Sequence, residues 1–393
     1  MHATLLSLIL SILILLITAL ILGELVEHFG IPAVVGEIIA GVIFGPSVLD
    51  LIKSNSVLSG ISEISLFFII LLIGVDQTTE TLKKHLGKAF ALSLSSFIVP
   101  SAIMSAIAFY YFGLPASESI LVSVAVGIPS ISIISVMVRG YNIEKSELGM
   151  TIIASVIVSD TIAFTVTSAF RDEITFIYGI VSIVVFLILL FILDLILRSH
   201  SDAVKNFFSR IRARERGEKV IFGSIIVGGL IISAIFEVIG ITYVLGAFFA
   251  GLLINELVLG AELQGVLTRT LGRIDDSFFI PVFFAIAGLD FIIPSTQYLL
   301  LLLVLLAVSG LFASLLNYFT AGVMLGKQYS RTVMGFLGGR GAVGIAIATV
   351  ALSAGLIGKE LYSNILIATI VLSLIIPSLI NLKTKGREPS LDN

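Results

Sequence analysis

The stretch IIASVIVSDTIAF, residues 152–164, contains a single charged residue, Asp160, among apolar or small uncharged neighbours. The apolar run around it extends over about 149–170. That is long enough to cross a bilayer as a helix. A carboxylate at such depth is costly unless it is paired or faces water, so by default it suggests a functional site.

The rest of the chain agrees with a membrane setting. It is 58% hydrophobic and 12% charged, with a mean hydropathy of +1.15. Soluble domains carry about 25% charged residues. Apolar runs long enough for helices recur from end to end, without the alternation of a β-barrel. The first run follows only Met1 and His2 and lacks a basic leader, so it reads as a span and not a cleaved signal. With no cysteine, disulfides, thiolate metal sites and cysteine nucleophiles are excluded. The four histidines, His2, His28, His85 and His200, stand at span ends or in loops. No nucleotide loop and no Ser-His-Asp set is present, so an enzyme is not expected, and neither a cofactor nor a nucleic-acid partner is implied.

Thirteen spans are expected, near 5–23, 31–48, 61–76, 89–112, 116–138, 149–170, 174–197, 219–236, 241–258, 275–290, 297–325, 332–357 and 360–381. Lysine and arginine collect in cytoplasmic loops. Of the 23 basic residues, nineteen fall on the side reached after odd-numbered spans. Three, Lys53, Arg171 and Lys359, fall on the other, and Arg340 lies inside span 12. One missed or invented span would destroy that asymmetry. The N-terminus is therefore expected outside and the C-terminus in the cytoplasm. The polar stretch 198–219 joins spans 7 and 8 on the cytoplasmic side, as a solvated linker or as a surface for anionic lipid.

A seventh span between two sets of six suggests an inverted repeat, one copy over about 5–170 and the other over about 219–381, joined by a linker helix over about 174–197. The whole membrane domain is 1–381, and 382–393 is a short cytoplasmic tail. Internal echoes sit seven spans apart: VVGEIIAGVIFGP in span 2 with YVLGAFFAGLLINE in span 9, and FFIILLIGVD in span 3 with VFFAIAGLD in span 10. Span 5 contains VGIPSISIIS, where Pro129 removes a backbone donor, and span 12 contains GFLGGRGAVG, whose glycines weaken helix continuity. These two helices are expected to be broken, in the manner of transporters whose discontinuous helices meet at the membrane midplane.

Asp160 and Arg340 are the deeply placed charges. An ion pair between them is the purely structural alternative to a site. Ser155 and Thr151 share roughly one helix face with Asp160, and Ser159 is its direct neighbour. Oxygen ligands without cysteine or histidine suit a hard cation. Each hydroxyl has the alternative of bonding back to its own helix. Glu37, inside span 2, suits packing, gating or ion binding equally. Asp275 and Asp276 open span 10, where acidic residues favour the positive helix end.

The segment GELVEHFGIPAVVGEIIAGVIFGPSVL, 23–49, resembles the opening signature of the monovalent cation:proton antiporters, in the branch of the sodium/proton antiporters and potassium efflux systems. The resemblance continues in order through LFFIILLIGVD, GIPSISIISVMVRGYNIEKSELGMTIIASVIVSD, YVLGAFFAGLL, FFIPVFFAIAGLD and GGRGAVGIAIATVALSAGLI. It implies an all-α polytopic membrane protein with crossed broken helices, a homodimer in membrane lipid, and a core domain that moves like an elevator. It also implies that Asp160 is the transport aspartate, that Pro129 and Ser130 lie at the unwound crossing, and that Arg340 is the arginine of the second crossing helix.

Departures from the family pattern bear on mechanism. Electrogenic relatives carry two adjacent aspartates in span 6, where this chain has Ser159-Asp160. They also carry a buried lysine in the helix matching span 11, where this chain has Ser314. The expected activity is exchange of one monovalent cation, Na⁺ before K⁺, for one proton at Asp160, without net charge movement. A potassium/proton antiporter, an ion-coupled symporter, a channel and a non-transporting sensor are the rival readings.

Overall fold

A computed structural model of the chain describes residues 2–29, 31–76, 79–130, 146–169, 217–238, 243–253 and 261–378, with the single positions 134, 138 and 143. Regular structure among these residues is entirely helical. The expected linker helix at 174–197, most of the 198–219 stretch and the tail lie outside the described residues.

The chain opens with α1 (His2–His28), α2 (Ala33–Phe44) and α3 (Ser56–Asp76). Next, α4 (Thr79–Ser93) continues through a π-helical turn at Leu94–Ile98 into α5 (Val99–Tyr110). Then come α6 (Ala116–Gly127), α7 (Glu147–Ala169), α8 (Gly217–Val238) and α9 (Tyr243–Leu253). The amphipathic α10 (Ala261–Ile274) runs through a second π turn, Asp275–Phe279, into α11 (Ile280–Leu289). A third π turn, Ala307–Phe312, joins α12 (Thr296–Leu306) to α13 (Ala313–Met324). The last three are α14 (Ser330–Phe336), α15 (Ala342–Ser353) and α16 (Lys359–Ser378).

Among the described residues, six stretches are long and apolar enough to cross a membrane: Leu6–His28, Ser56–Val75, His85–Tyr110, Glu147–Thr167, Lys219–Val238 and Thr296–Met324. Four further apolar helices, α2, α6, α9 and α15, are shorter. Several helices overrun the apolar stretches that announce them. The helix of span 10 begins at Ala261 instead of near 275, because hydrogen bonding carries the helix through a segment whose polar face suits water and whose Leu267 and Leu271 are buried.

Close helix packing depends on glycine, as expected where lipid tails are as apolar as the helices themselves. A Cβ on Gly41 of α2 would collide with the backbone carbonyl of Ala285 in α11, and one on Gly288 of α11 with the carbonyl of Ile38 in α2. In α3 and α9 the same arrangement recurs: Gly74 lies against the Phe248 carbonyl, and Gly251 against that of Leu71. Gly36 approaches Leu22 of α1, and Gly246 approaches Ser233 of α8. These are the glycines shared by the echoed sequences of spans 2 and 9 and of spans 3 and 10.

Both helices expected to break do so. After Gly127 the chain turns extended, with Ile128 at φ −71° and ψ 129°. Between α14 and α15 the stretch Gly339-Arg340-Gly341 is unwound. The two interruptions meet: the N–H of Ser130 donates to the carbonyl of Gly339 at 3.0 Å. Gly344 lets the first turn of α15 press against the carbonyl of Ala125.

Gly41→Ala should therefore destabilise the protein by about 1–3 kcal/mol, the usual cost of overpacking. Gly60→Ala is the control, because no atom lies within 4 Å of a Cβ built there. Thermal unfolding in detergent checks the pair. Equal melting temperatures for both variants would show that the close approach of α2 and α11 is not required.

Candidate functional site

Arg340 occupies the second interruption, and its side chain is 1% exposed. The guanidinium is held by oxygens from three interrupted helices. Its Nε donates to the Ser309 hydroxyl at 3.0 Å, and Nη2 donates to the carbonyls of Ser309 at 3.2 Å and Ser96 at 3.3 Å. Nη1 donates to the carbonyl of Leu337, at the end of α14, at 3.3 Å. The Ser309 hydroxyl in turn donates to the carbonyl of Val126, in the last turn of α6, at 3.0 Å. From α16, Ser373 donates its hydroxyl to the backbone carbonyl of Arg340.

These acceptors follow from the sequence. Pro100 has no N–H to offer the carbonyl four residues before it, which is that of Ser96. The carbonyl of Val126 loses its helical partner because Ser130 turns its N–H to Gly339. Helix interruptions leave such groups unpaired, and in a membrane interior each must find a partner in the protein. Carbonyl ends also carry the negative pole of the helix dipole, which favours a cation. Arg340 therefore needs no acid beside it. No ion pair joins it to Asp160, so that structural alternative is not formed. A guanidinium reaches oxygens in several directions at once, which a point-like ammonium does not.

Asp160 lies in the middle of α7, is 0% exposed, and has no hydrogen-bond partner for either carboxylate oxygen. Its neighbour Ser159 is also 0% exposed, and its hydroxyl lies 2.9 Å from that of Ser93 and 2.9 Å from the Ser155 carbonyl. The hydroxyl of Ser155 donates back to Ile152 at 2.7 Å. That bond uses its proton and leaves oxygen lone pairs able to accept a cation or a donor. Pro129 and Ser130 lie in the extended break beyond α6, and α6 packs against α7. Glu37 is 4% exposed in α2, one carboxylate oxygen has no partner, and its acidic neighbours are Asp276 and Glu27. No hydrogen bond joins Glu37 to Asp160.

Several residues of the site are not among those singled out from the sequence. The π turn at 94–98 and the residue before it carry three serines directed to different neighbours. Ser93 meets Ser159, Ser95 donates to Asn317 at 2.9 Å, and the Ser96 carbonyl holds Arg340. The hydroxyls of Ser96 and Ser314 and the amide nitrogen of Asn317 are buried without partners. Their signal is polarity inside an apolar run, in ALSLSSFIVPS (91–101) and LFASLLN (311–317).

The chain matches the model of a family described as "Sodium/hydrogen exchanger, transmembrane" over residues 12–382. It is 28% identical over 368 residues to a probable Na⁺/H⁺ antiporter of Methanocaldococcus jannaschii, covering 91% of this chain and 92% of that protein. It is 23% identical to the Na⁺/H⁺-K⁺ antiporter GerN of Bacillus cereus, covering 94% of each. Its fold is similar to that of the sodium proton antiporter MjNhaP1 from M. jannaschii, with a TM-score of 0.69 at 18% identity, covering 95% of this chain and 97% of that one.

Removing the guanidinium orphans several buried oxygens, each at a cost of about 1–3 kcal/mol. Arg340→Ala should lower the melting temperature clearly in detergent, and Arg340→Lys should restore only part of the loss. Unchanged melting of Arg340→Ala would refute the anchoring role.

Proposed function

The chain belongs to the sodium/hydrogen exchanger family, and on that premise we propose that it is a secondary active antiporter exchanging Na⁺ for H⁺ at Asp160. What carries this reading is the Asp160 carboxylate, wholly buried with both oxygens unpartnered in a core of interrupted helices. A bare carboxylate in that setting is costly. Binding a proton or a monovalent cation relieves the cost, and both compete for the same oxygens. The loaded site crosses the apolar barrier, whereas the empty one is held back by its charge. Obligate loading of that kind produces exchange and not leak. Ser159, Ser155, Ser130 and the backbone at Pro129 are the further oxygen sources expected around the cation. Arg340 is the fixed charge of the crossing, and Glu37 is a gating or auxiliary acid.

The wider architecture we assign is thirteen spans, with repeats over about 5–170 and 219–381 of opposite orientation. The N-terminus lies outside and the C-terminus in the cytoplasm of the cell membrane. Support comes from features seven spans apart: Gly36 with Gly246, Gly41 with Gly251, Gly74 with Gly288, the π turns of spans 4 and 11, and the breaks of spans 5 and 12. A homodimer with a moving core is the corresponding assembly. Similarity to GerN, a Na⁺/H⁺-K⁺ antiporter, favours potassium as a second transported cation.

Stoichiometry follows from the titratable groups. Ser159 does not titrate in the physiological range, span 11 offers Ser314 in place of a lysine, and guanidinium stays protonated. Asp160 alone trades its proton, one for one, so the exchange is electroneutral.

Asp160→Asn should keep the fold and abolish Na⁺-dependent proton flux in proteoliposomes, because an amide neither releases a proton nor neutralises a cation. Retained flux would sink the central assignment. With vesicles clamped by potassium and valinomycin, Na⁺/H⁺ exchange should not vary with voltage. Each net charge moved would instead contribute about 2.3 kcal/mol per 100 mV. A shift of the reversal point with voltage would show that a second group, Glu37 first among them, also exchanges a proton.

A further inference from the structure

The helices pack as two groups. In one, α11 lies against α1, α2 and α3, and α9 lies against α3 and α8. In the other, α16 lies against α6, α12 and α15, and α7 lies against α4, α6 and α15. Where α7 meets α9 the contact between the groups is apolar, with the rings of Phe164 and Phe248 5.4 Å apart. Such a contact is non-directional and tolerates sliding. Where α16 meets the end of α11 the contact is polar and fixed in register. Tyr362 of α16 is 0% exposed, and its hydroxyl donates to the carbonyl of Ala287, in the last turn of α11, at 2.9 Å. Beside it Lys359 binds Asp290, just past α11, at 2.8 Å, and the N–H of Ile292 donates to the Ser363 hydroxyl at 2.9 Å.

The register follows from the helix end. The last carbonyls of an α-helix have no intrahelical partner, so the end of α11 offers acceptors that its interior does not. A tyrosine hydroxyl buried away from water needs such a partner. If α16 moved along α11 by one turn toward the helix interior, Tyr362 would meet only carbonyls already engaged by the N–H groups of their own helix, and its acceptor would be lost. The bond to Ala287 therefore belongs to one arrangement of the two groups. Lys359 is half-exposed, so its ion pair contributes less than the buried bond.

We propose that Tyr362 is a latch that holds the two groups together on the external side and so keeps the exchanger closed to the outside, with Lys359 and Ser363 as its aids. This rests on the antiport reading of Asp160 with a moving core, and it names a bond that the movement must break. In the assigned orientation α11 ends and α16 begins outside, and Asp160 travels on α7 with the α16 group. Tyr362 touches no transported ion. It is a positioning residue that sets the ratio of inward-open to outward-open protein. Apparent affinity on either side scales with the fraction of competent protein, so a weaker latch strengthens Na⁺ binding from outside.

Gly60 of α3 and Gly358, just before α16, have no atom within 4 Å of an added Cβ, and the chain has no cysteine. Gly60→Cys with Gly358→Cys therefore accepts a pair of nitroxide labels, one on each group. Pulsed electron spin resonance on the full chain should show that Tyr362→Phe, which removes one oxygen, moves the conformer ratio about fivefold away from the distance that predominates without it. Lys359→Gln should move it the same way by less. Thr349→Val is the control, because the Thr349 hydroxyl, 3.4 Å from that of Tyr362, lies in the same group and its loss should leave the ratio unchanged. In proteoliposomes Tyr362→Phe should lower the external KM for Na⁺ about fivefold and leave the internal KM unchanged or raised, a split between sides that a merely structural role would not produce. The distances are read without any flux, so they stand apart from whether Asp160 exchanges the ions. Unchanged distances in Tyr362→Phe would overturn the latch, as would an equal shift on Thr349→Val. A shift in distance with the external KM unmoved would overturn its link to exchange.

Discussion

Everything at the centre of this fold depends on one guanidinium held by carbonyls. A helix interrupted inside a membrane leaves backbone oxygens with no intrahelical partner and no water to replace it. Arg340 collects them from the π turn before Pro100, from the π turn at Ser309 and from the end of α14, and it reaches the end of α6 through the Ser309 hydroxyl. The interruptions and the arginine are therefore one device. Broken helices create acceptors that only a many-pronged cation satisfies, and a buried cation is tolerable only where such acceptors are concentrated.

That arrangement leaves Asp160 without a fixed counter-charge. Had Arg340 formed an ion pair with it, the carboxylate would be satisfied at rest and would gain little from binding a small cation. Engaging the arginine elsewhere keeps the aspartate unsatisfied, which is the condition for the proposed carboxylate that repeatedly takes up and releases its load. The parallel packing of α4 and α7, joined by His85–Thr151 at 3.3 Å and Ser93–Ser159 at 2.9 Å, ties the aspartate's helix to the π turn that also holds Arg340.

Much of this was legible in the sequence because a membrane restricts what a sequence can mean. Long apolar runs and a lone aspartate each have few physical readings, and the glycines shared by the echoed spans stand at the helix contacts. The unwinding of spans 5 and 12 was visible in Pro129 and in the glycines around Arg340. The partner of Arg340 was not. Charge argues for an acid, and the carbonyls that hold the arginine carry no side-chain signature; their only trace is Pro100, four residues after Ser96. Ser93, Ser96 and Ser309 were hidden for a similar reason, since a serine in an apolar helix reads the same whether it bonds its own turn or a neighbour. The amphipathic α10 was missed because hydropathy marks the depth of the bilayer and not the end of a helix.

That Arg340 is held by backbone and hydroxyl oxygens, with no carboxylate among its described partners, also sets how the scaffold responds to acid. A carboxylate partner would be neutralised as pH falls, and the crossing would weaken with it. Carbonyl oxygens and a guanidinium do not titrate in any physiological range. On the proposed reading of Asp160, proton chemistry and structural anchor reside in separate groups, so a change in acidity would alter the load on the aspartate and leave the hold of Arg340 on the crossing unchanged.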